Sequence, residues 1–225
     1  MNKLKLLLHC LLMIFPWFLR RRLLNIFFKY KIHPKAKIGF SIVMPASLEM
    51  NEYARIGHFT IAVHLDTIIL RKNANIGRNN WITGFSTHQK SLHFKHQPYR
   101  KAMLIVGESS SITKRHHLDC TNEIIIGKFV TIAGYDSQFL THSINLKNNY
   151  QDSNKIIIGD YCFIGSNVMI LGGSSLPSYS VLGAKSLLNK NFNEEWTLYG
   201  GVPAICLQKI PKDYKYFTRS EGYVY

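Results

Sequence analysis

Acidic residues are scarce in this chain of 225 residues. Its 13 Asp and Glu face 28 Lys and Arg, which leaves a formal net charge of +15. Such an excess favours a polyanionic partner, namely a nucleotide-bearing cofactor, a nucleic acid or an anionic membrane surface. The sequence contains no RNP motif, zinc-finger pattern or helix-turn-helix pattern. We therefore expect no nucleic-acid partner, and the first and third possibilities are left.

Cysteine is also rare. The chain has four cysteines and no CxxC pair, so neither a disulfide framework nor a zinc site of the CxxC type is expected. Reduced thiols suit a reducing compartment, which favours a cytoplasmic protein.

No uninterrupted apolar run is long enough to cross a membrane. Residues 4–19 are almost wholly apolar, but such a run is shorter than the roughly 20 residues that a spanning helix needs. No small-residue cleavage site follows, which argues against a signal peptide. Trp17 and the cluster Arg20-Arg21-Arg22 are typical of a helix that lies in a membrane interface. The segment therefore predicts peripheral contact with the inner face of the membrane. The alternative is a helix that packs on the end of the fold or on a neighbouring subunit.

What the sequence does contain is a six-residue repeat. Aliphatic residues recur at every sixth position, at Ile158, Ile164, Ile170, Leu176, Leu182 and Leu188. A helix repeats every 3.6 residues and a strand every two, so neither produces this period by itself. A short strand followed by a tight corner does, if each aliphatic side chain points inward and stacks on its equivalent one coil away. The pattern predicts a parallel β-helix in which three hexads make one triangular coil.

The repeat begins at Ile32 and is interrupted twice. Residues 89–103 and 145–155 lack it and are predicted to be loops ejected from corners, where a rigid scaffold usually carries its functional residues. The tail is expected to form a short helix or an arm that closes the solenoid. The predicted organisation is an N-terminal apolar and basic helical segment (1–31), a β-helix (32–192) and a C-terminal tail (193–225).

Three motifs accompany the repeat: Thr141-His142, then Ile164-Gly165-Ser166-Asn167 with Leu182-Gly183-Ala184, and Gly201-Val202-Pro203-Ala204. With these motifs, residues 32–211 resemble the hexapeptide-repeat acyltransferases, a family of left-handed parallel β-helices. Residues 134–142 are most similar to the branch that acylates surface polysaccharide intermediates. The resemblance implies a left-handed β-helix, assembly as a homotrimer, acetyl-CoA as the acyl donor and a saccharide or lipid-linked glycan as the acceptor.

The resemblance also implies which residues carry the chemistry. Acyl transfer from a thioester to a hydroxyl needs one positioned base and hydrogen-bond donors for the oxyanion. His142, directly before the second predicted loop, stands at the family's catalytic histidine. His116 and His117 lie one coil earlier and are expected to contact the acceptor or to orient groups of the site. Thr113 is also expected to contact the acceptor, because it stands where several family members have an asparagine. His88 has the same Thr-His setting before the first loop and is an alternative candidate.

For the donor, Ser166 and Ala184 match the positions that contact the pantetheine chain, and Asn189-Lys190 match a Thr-Lys pair. Lys190 is expected to bind the nucleotide phosphates, and the alternative is an ordinary solvated lysine. Lys209 could replace the family's tail arginines as a point charge without bidentate geometry. No metal is expected, because the metal-dependent carbonic anhydrases that share the β-helix need three histidines across subunit faces.

These observations predict an O-acyltransferase that moves an acetyl group from acetyl-CoA to a saccharide hydroxyl. The acceptor is expected to be a capsule, exopolysaccharide or O-antigen intermediate, and the transfer to be direct, with His142 as the base. Two alternatives stay open. One is an N-acyltransferase acting on a nucleotide-linked amino sugar, and the other is a non-catalytic β-helix that binds a ligand.

Overall fold

The computed structural model describes residues 3–224 of the chain. The first two residues of the predicted N-terminal segment, and Tyr225 of the predicted tail, lie outside this range. Two helices come first, α1 (Lys3–Leu12) and α2 (Trp17–Phe27). The strands, numbered in chain order, are β1 (Lys31–Ile32), β2 (Lys37–Ile38), β3 (Ile42–Met44), β4 (Ser47–Met50), β5 (Arg55–Ile56), β6 (Ile61–Val63), β7 (Thr67–Leu70), β8 (Asn75–Ile76), β9 (Trp81–Thr83), β10 (Met103–Val106), β11 (Ser111–Ile112), β12 (His117–Asp119), β13 (Ile124–Ile126), β14 (Thr131–Ile132), β15 (Gln138–Leu140), β16 (His142–Asn145), β17 (Tyr150–Ser153), β18 (Ile156–Ile158), β19 (Phe163–Ile164), β20 (Met169–Leu171), β21 (Ser175–Leu176), β22 (Val181–Leu182), β23 (Leu187–Leu188), β24 (Thr197–Gly201) and β25 (Ala204–Lys209).

The strands wind into a solenoid with three faces. The first face is the parallel sheet β1-β4-β7-β10-β13-β18-β21, and the third face is the parallel sheet β3-β6-β9-β12-β15-β20-β23. The second face runs in the order β2-β5-β8-β11-β14-β19-β22-β24-β25, and only its last pair is antiparallel. Register brings the repeated aliphatic residues into line, as for Ile112, Ile132, Ile164 and Leu182 on the second face. All four are fully buried, so the six-residue repeat forms the core, and the predicted parallel β-helix is confirmed.

The glycine that follows many of the aliphatic residues has a steric reason. A Cβ placed on Gly77 would lie 1.8 Å from the carbonyl oxygen of Thr113 in the next coil. Contacts of that length are forbidden between non-bonded atoms, so any side chain here would push the two coils apart.

Other corners use left-handed backbone at residues with side chains. Phe129, Tyr161, Tyr179 and Trp196 have φ angles of 54°, 56°, 56° and 55°. Their rings stack along one edge of the solenoid, with successive centroids 4.8, 5.3 and 4.6 Å apart. Stacked aromatic pairs contribute about 0.5–1.5 kcal/mol each, which offsets much of the roughly 1–2 kcal/mol that a left-handed residue costs.

The N-terminal helices cap the first coil. Trp17 Nε1 donates to the carbonyl of Ala36 at 2.9 Å, and Arg20 donates to the carbonyls of Gly39 and Ser41 at 3.0 and 3.3 Å. Leu12 and Leu24 join the buried core of the coils. Arg20, which belongs to the predicted membrane-contacting cluster Arg20-Arg21-Arg22, is thus buried and turned inward. No helix in residues 3–224 combines the length and hydropathy that a membrane span requires.

The C-terminal tail is mainly an arm. The expected helix is limited to one 3₁₀ turn, Lys215–Thr218, because residues 197–209 instead form the β24–β25 hairpin. Leu198 and Tyr199 pair with β22, which satisfies the backbone of a coil edge that would otherwise be open. The arm then returns along the solenoid, where the Tyr216 hydroxyl donates to the carbonyl of Cys162 at 3.0 Å.

Candidate active site

His142 stands at the corner where the third face ends. The preceding residue, Thr141, is buried. Its hydroxyl donates to the carbonyl of Asp119 at 2.7 Å, and its own carbonyl accepts from the amide of Asn154 at 2.9 Å. These bonds fix the backbone of the corner, while the His142 side chain remains 38% exposed. The second predicted loop is in fact the antiparallel hairpin β16–β17, which begins at His142 itself.

A carboxylate lies behind the His142 ring. Asp119 Oδ2 is 3.6 Å from His142 Nδ1, and the Asp119 side chain is only 14% exposed. Its other oxygen accepts from the amide and hydroxyl of Thr121 at 3.0 and 2.6 Å. A carboxylate held in this way orients an imidazole and stabilises the imidazolium that forms when the ring takes a proton.

The other ring nitrogen is covered. His142 Nε2 contacts the side-chain oxygen of Gln151, which comes from the opposite strand of the hairpin. A ligand can hydrogen-bond to this nitrogen only if Gln151 moves aside.

A pocket of about 370 Å³ surrounds His142. It is lined by Thr83, Gly84, Phe85, His93, Phe94, His117, Asp119, Thr121, Leu140, His142 and Gln151. The Phe94 ring meets the His142 ring edge-on, with centroids 5.8 Å apart. Apolar walls with a few polar groups at defined positions are typical of small-molecule sites.

The pocket wall formed by residues 84–102, here called the wall loop, is clamped at both ends by Asp66. One carboxylate accepts from the Ser86 hydroxyl at 2.6 Å, the Thr87 amide at 2.9 Å and the Ala102 amide at 3.0 Å. Burial alone would raise the pKa of Asp66, but these hydrogen bonds outweigh burial and lower the pKa. The wall loop is therefore fixed at its base despite having no strands.

The wall loop and the hairpin also hold each other. Gln97 donates to Asp152 and to the Ser153 carbonyl, both at 2.8 Å. Arg100 donates to the carbonyls of Phe85 and Thr121 and lies 4.4 Å from the centre of the Phe94 ring. The two segments that interrupt the six-residue repeat thus form one connected wall over His142.

Of the predicted acceptor residues, His117 lies in the pocket. It shares β12 with Asp119, and its Nε2 is buried without a hydrogen-bond partner in the described part of the chain. An unpaired buried nitrogen carries a desolvation cost, which a hydroxyl of a bound ligand would relieve.

Thr113 and His116 lie elsewhere, at the corner where the third face begins. His116 Nε2 is 3.0 Å from the Thr113 hydroxyl, which donates to the Gly134 carbonyl at 2.7 Å, and His116 Nδ1 accepts from the Ser137 amide at 3.2 Å. Burial lowers the pKa of His116 to about 4, so the ring is neutral near pH 7 and carries its proton on Nε2. The structure shows both residues supporting the corner, and an acceptor contact remains a prediction.

His88 lies outside the pocket lining. Its side chain is 71% exposed, and Nε2 is 4.0 Å from Asp66 Oδ1. The local Thr-His pattern is therefore not sufficient to build a second site like that of His142.

The predicted donor residues fall on two corners. Ser166 and Ala184 follow the aligned residues Ile164 and Leu182, at the start of the third face. The Ser166 hydroxyl fills the space beside Gly134, where a Cβ would lie 1.7 Å from it. Ala184 is exposed.

Asn189 and Lys190 lie at the His142 corner instead. Leu188 is in register with Ile170, and Ile170 with Phe139, so these two residues come two coils after Thr141-His142. Because adjacent strands are about 4.8 Å apart, the offset along the axis is about 10 Å. Both side chains are exposed, and Lys190 Nζ is 5.2 Å from the centre of the Phe192 ring.

Asp119, Gln151 and Phe94 were not predicted as site residues. Asp119 could have been found from the repeat, because it aligns with Leu140 of the next coil. Leu140 lies two residues before His142, where the ejected segment begins. Gln151 and Phe94 had none, since the segments that carry them lack the repeat. In residues 3–224, no group of three or more His, Cys, Asp or Glu side chains is placed to hold a metal ion.

No protein-family model and no curated protein matches this chain. Solved structures do match it. OatWY, a polysialic acid O-acetyltransferase, has a TM-score of 0.60 at 18% identity, over 80% of this chain and 84% of that chain. AntD, an N-acyltransferase from Bacillus cereus crystallised as a mutant with dTDP-4-amino-4,6-dideoxyglucose and coenzyme A, has a TM-score of 0.51 at 14% identity, over 86% and 90%.

A third structure is a hexapeptide-repeat acetyltransferase from Vibrio cholerae in complex with acetyl coenzyme A. It is 29% identical with a TM-score of 0.45, over 48% of this chain and 61% of that chain. This chain therefore spans less than two thirds of the length of that protein.

The three parallel faces and the match to OatWY define the class of structure. The chain is a left-handed parallel β-helix of the hexapeptide-repeat type. It shares this fold with the acetyltransferase OatWY and the acyltransferase AntD.

Proposed function

We propose that this protein is an O-acyltransferase that transfers an acetyl group from acetyl-CoA to a saccharide hydroxyl. The observation that carries the proposal is His142, whose Nδ1 lies 3.6 Å from the Asp119 carboxylate in a pocket at an exposed corner of the β-helix. A positioned imidazole with a carboxylate behind it is the general base that this reaction needs. The activity named for OatWY, O-acetylation of polysialic acid, belongs to the same reaction class.

In the proposed reaction, the acceptor hydroxyl displaces Gln151 and donates to His142 Nε2. As its oxygen attacks the thioester carbonyl, its proton moves to Nε2, and Asp119 stabilises the imidazolium. The C–S bond of the tetrahedral intermediate then breaks, and the imidazolium returns the proton to the departing sulfur. The products are the acetyl ester and the free thiol, and His142 is restored.

Direct transfer is favoured over a covalent acyl-enzyme. Cys120 and Cys162 are fully buried, and burial raises the pKa of the Cys162 thiol to about 12 and that of Cys120 well above its usual range. Neither thiol would form a nucleophilic thiolate near neutral pH. Cys10 and Cys206 are free and exposed, on α1 and β25, outside the pocket lining. Unpaired thiols fit a cytoplasmic location, which we also propose.

The donor residues support a homotrimer. Ser166 and Ala184 lie at one corner of the third face and His142 at the other, so a single chain does not bring them together. In a ring of three chains, the Ser166 corner of one subunit would meet the His142 corner of the next. We propose that acetyl-CoA lies between subunits, with Lys190 contributing charge to its phosphates.

The wall loop supports a surface polysaccharide as the acceptor. It contains Lys90, Lys95, Arg100 and Lys101 but no acidic residue. A cationic wall beside the base would attract an acidic glycan. An N-acyltransferase acting on a nucleotide-linked amino sugar is the second candidate, since AntD, of the same fold, was crystallised with such a sugar.

The deciding experiment incubates the protein with acetyl-CoA and a panel of neutral saccharides, acidic polysaccharides and nucleotide-linked amino sugars. Thiol release and the mass of the product are measured, and mild alkali separates a labile O-acetyl ester from a stable N-acetyl amide. An ester on a saccharide supports the proposal, and an amide establishes the second candidate. Binding of acetyl-CoA without thiol release for any acceptor would identify a non-catalytic β-helix.

Replacement of Lys190 by glutamate should raise the KM for acetyl-CoA about 10-fold, which corresponds to about 1.4 kcal/mol, and leave turnover at saturating donor unchanged. A contact remote from the reacting atoms stabilises ground and transition states equally. Steady-state kinetics with varied acetyl-CoA measures this. Lys128→Glu, at an exposed lysine of an earlier coil, is the matched control. An effect confined to the KM of the acceptor would remove Lys190 from the donor site.

A further inference from the structure

The two N-terminal helices have a second surface that the β-helix does not cover. We infer that this surface, here called the outer cap face, binds the headgroup region of an anionic membrane. Its large exposed apolar side chains are Leu4, Leu7, Leu11, Ile14, Phe18 and Ile26.

The spacing of exposed and buried residues along α1 shows that the outer cap face and the side packed on the coil are different sides of the helix. In α1, Leu4, Leu7 and Leu11 are spaced at i, i+3 and i+7 and are 50–71% exposed, while His9 and Leu12 are buried. Residues at this spacing share one side of a helix. Helix α1 therefore packs one side on the coil and exposes another, apolar side.

In α2 the exposed stripe mixes apolar and basic residues. Phe18, Arg22 and Ile26 are spaced at i, i+4 and i+8 and all three are exposed, while Leu24 is buried. The turn between the helices adds Ile14, which is 80% exposed. Apolar side chains beside cationic ones on one helical surface are the composition of interfacial helices.

The charge of the segment is entirely positive. The first acidic residue in the chain is Glu49, so no carboxylate in the cap neutralises its lysines and arginines. Lys3, Lys5, Arg22 and Lys29 are exposed. Basic residues near an anionic leaflet are attracted to it, so these four add electrostatic attraction to the insertion of the apolar side chains.

The structure favours a membrane over a second copy of the chain. Two outer cap faces brought together would bury like charges against each other, which costs free energy. A membrane surface offers opposite charge to the basic residues and hydrocarbon to the apolar ones. Contacts from Trp17 and Arg20 to the coil already fix the helices, so docking carries little ordering cost.

The test is co-sedimentation of the full-length protein with vesicles of phosphatidylcholine alone or mixed with phosphatidylglycerol. Binding should require the anionic lipid and weaken at high salt, because salt screens the charges. In the double variant Phe18→Ser/Ile26→Ser, the partition coefficient should fall about 10-fold or more. Leu207→Ser, an exposed leucine on β25, is the matched apolar control. Arg22→Glu should also weaken binding, with Lys128→Glu as its control.

Point variants are preferable to a deletion, because removing the helices would uncover the core beneath Leu24. Circular dichroism and thermal unfolding should be unchanged in the variants, since the substituted side chains are exposed. The inference is wrong if the full-length protein does not sediment with anionic vesicles at low salt, or if the double variant sediments as well as the wild type. A loss of self-association in the double variant without vesicle binding would instead assign the face to a second copy. None of these readouts uses acyl transfer, so failure here leaves the proposed reaction untouched.

Discussion

Replacement of His142 by alanine should lower turnover on the true acceptor by about 10²–10⁴-fold, the usual effect of losing a general base. The variant retains the pocket walls but has no group to take the hydroxyl proton. Affinity for acetyl-CoA should persist, because the donor residues lie on later coils. Turnover by thiol release and donor affinity by calorimetry measure the two effects separately.

His88→Ala is the matched control for this variant. His88 follows a threonine and precedes an ejected segment, as His142 does, but it lies outside the pocket. It should retain wild-type turnover. Near-normal turnover in His142→Ala would contradict the assignment and direct attention to His117, whose buried Nε2 has no hydrogen-bond partner in the described residues.

Replacement of Asp119 by asparagine should lower turnover by about 10²–10⁴-fold, where the upper value is the loss seen when a carboxylate behind a catalytic imidazole becomes an amide. The side-chain oxygen of the asparagine would keep the hydrogen bonds from Thr121. The NH₂ group of the asparagine would then face His142 Nδ1. That arrangement requires a lone pair on Nδ1 and a proton on Nε2, the nitrogen that must accept the hydroxyl proton. Turnover and its pH profile are the measurements.

Asp119→Glu, which restores the charge, should recover part of the activity and of the pH profile. Asp136→Asn is the control, because Asp136 pairs with Arg115 at 3.2 Å in an exposed salt bridge that should be worth little. If Asp119→Asn changed only thermal stability, Asp119 would be a structural residue of the corner. Equal losses in Asp119→Asn and Asp136→Asn would show a general effect of charge.

The sequence predicted the coils because their physical cause is local. An inward aliphatic residue, such as Ile132 or Ile164, is needed wherever a short strand crosses the core. The corner of His142 was equally predictable from its motif. The sequence could not predict Gln151 against His142, because that contact depends on the register of a hairpin without the six-residue repeat.

The sequence also could not predict which polar side chains point into the protein. Thr113 and His116 have the composition of an acceptor site, yet their polar atoms satisfy the backbone of a corner. Arg20 is indistinguishable from Arg21 and Arg22 as a basic residue, and only the packing of α2 on the coil turns it toward the carbonyls of Gly39 and Ser41.

The stacked corner that ends at Trp196 has an optical consequence. The three tryptophans of the chain report on different heights of the solenoid, since Trp17 is in the cap, Trp81 on β9 and Trp196 beside the last coil, 4.6 Å from the Tyr179 ring. A structure whose coils contact only their neighbours can fray from either end. Variants that keep only one tryptophan each would let fluorescence show which end of the β-helix unfolds first.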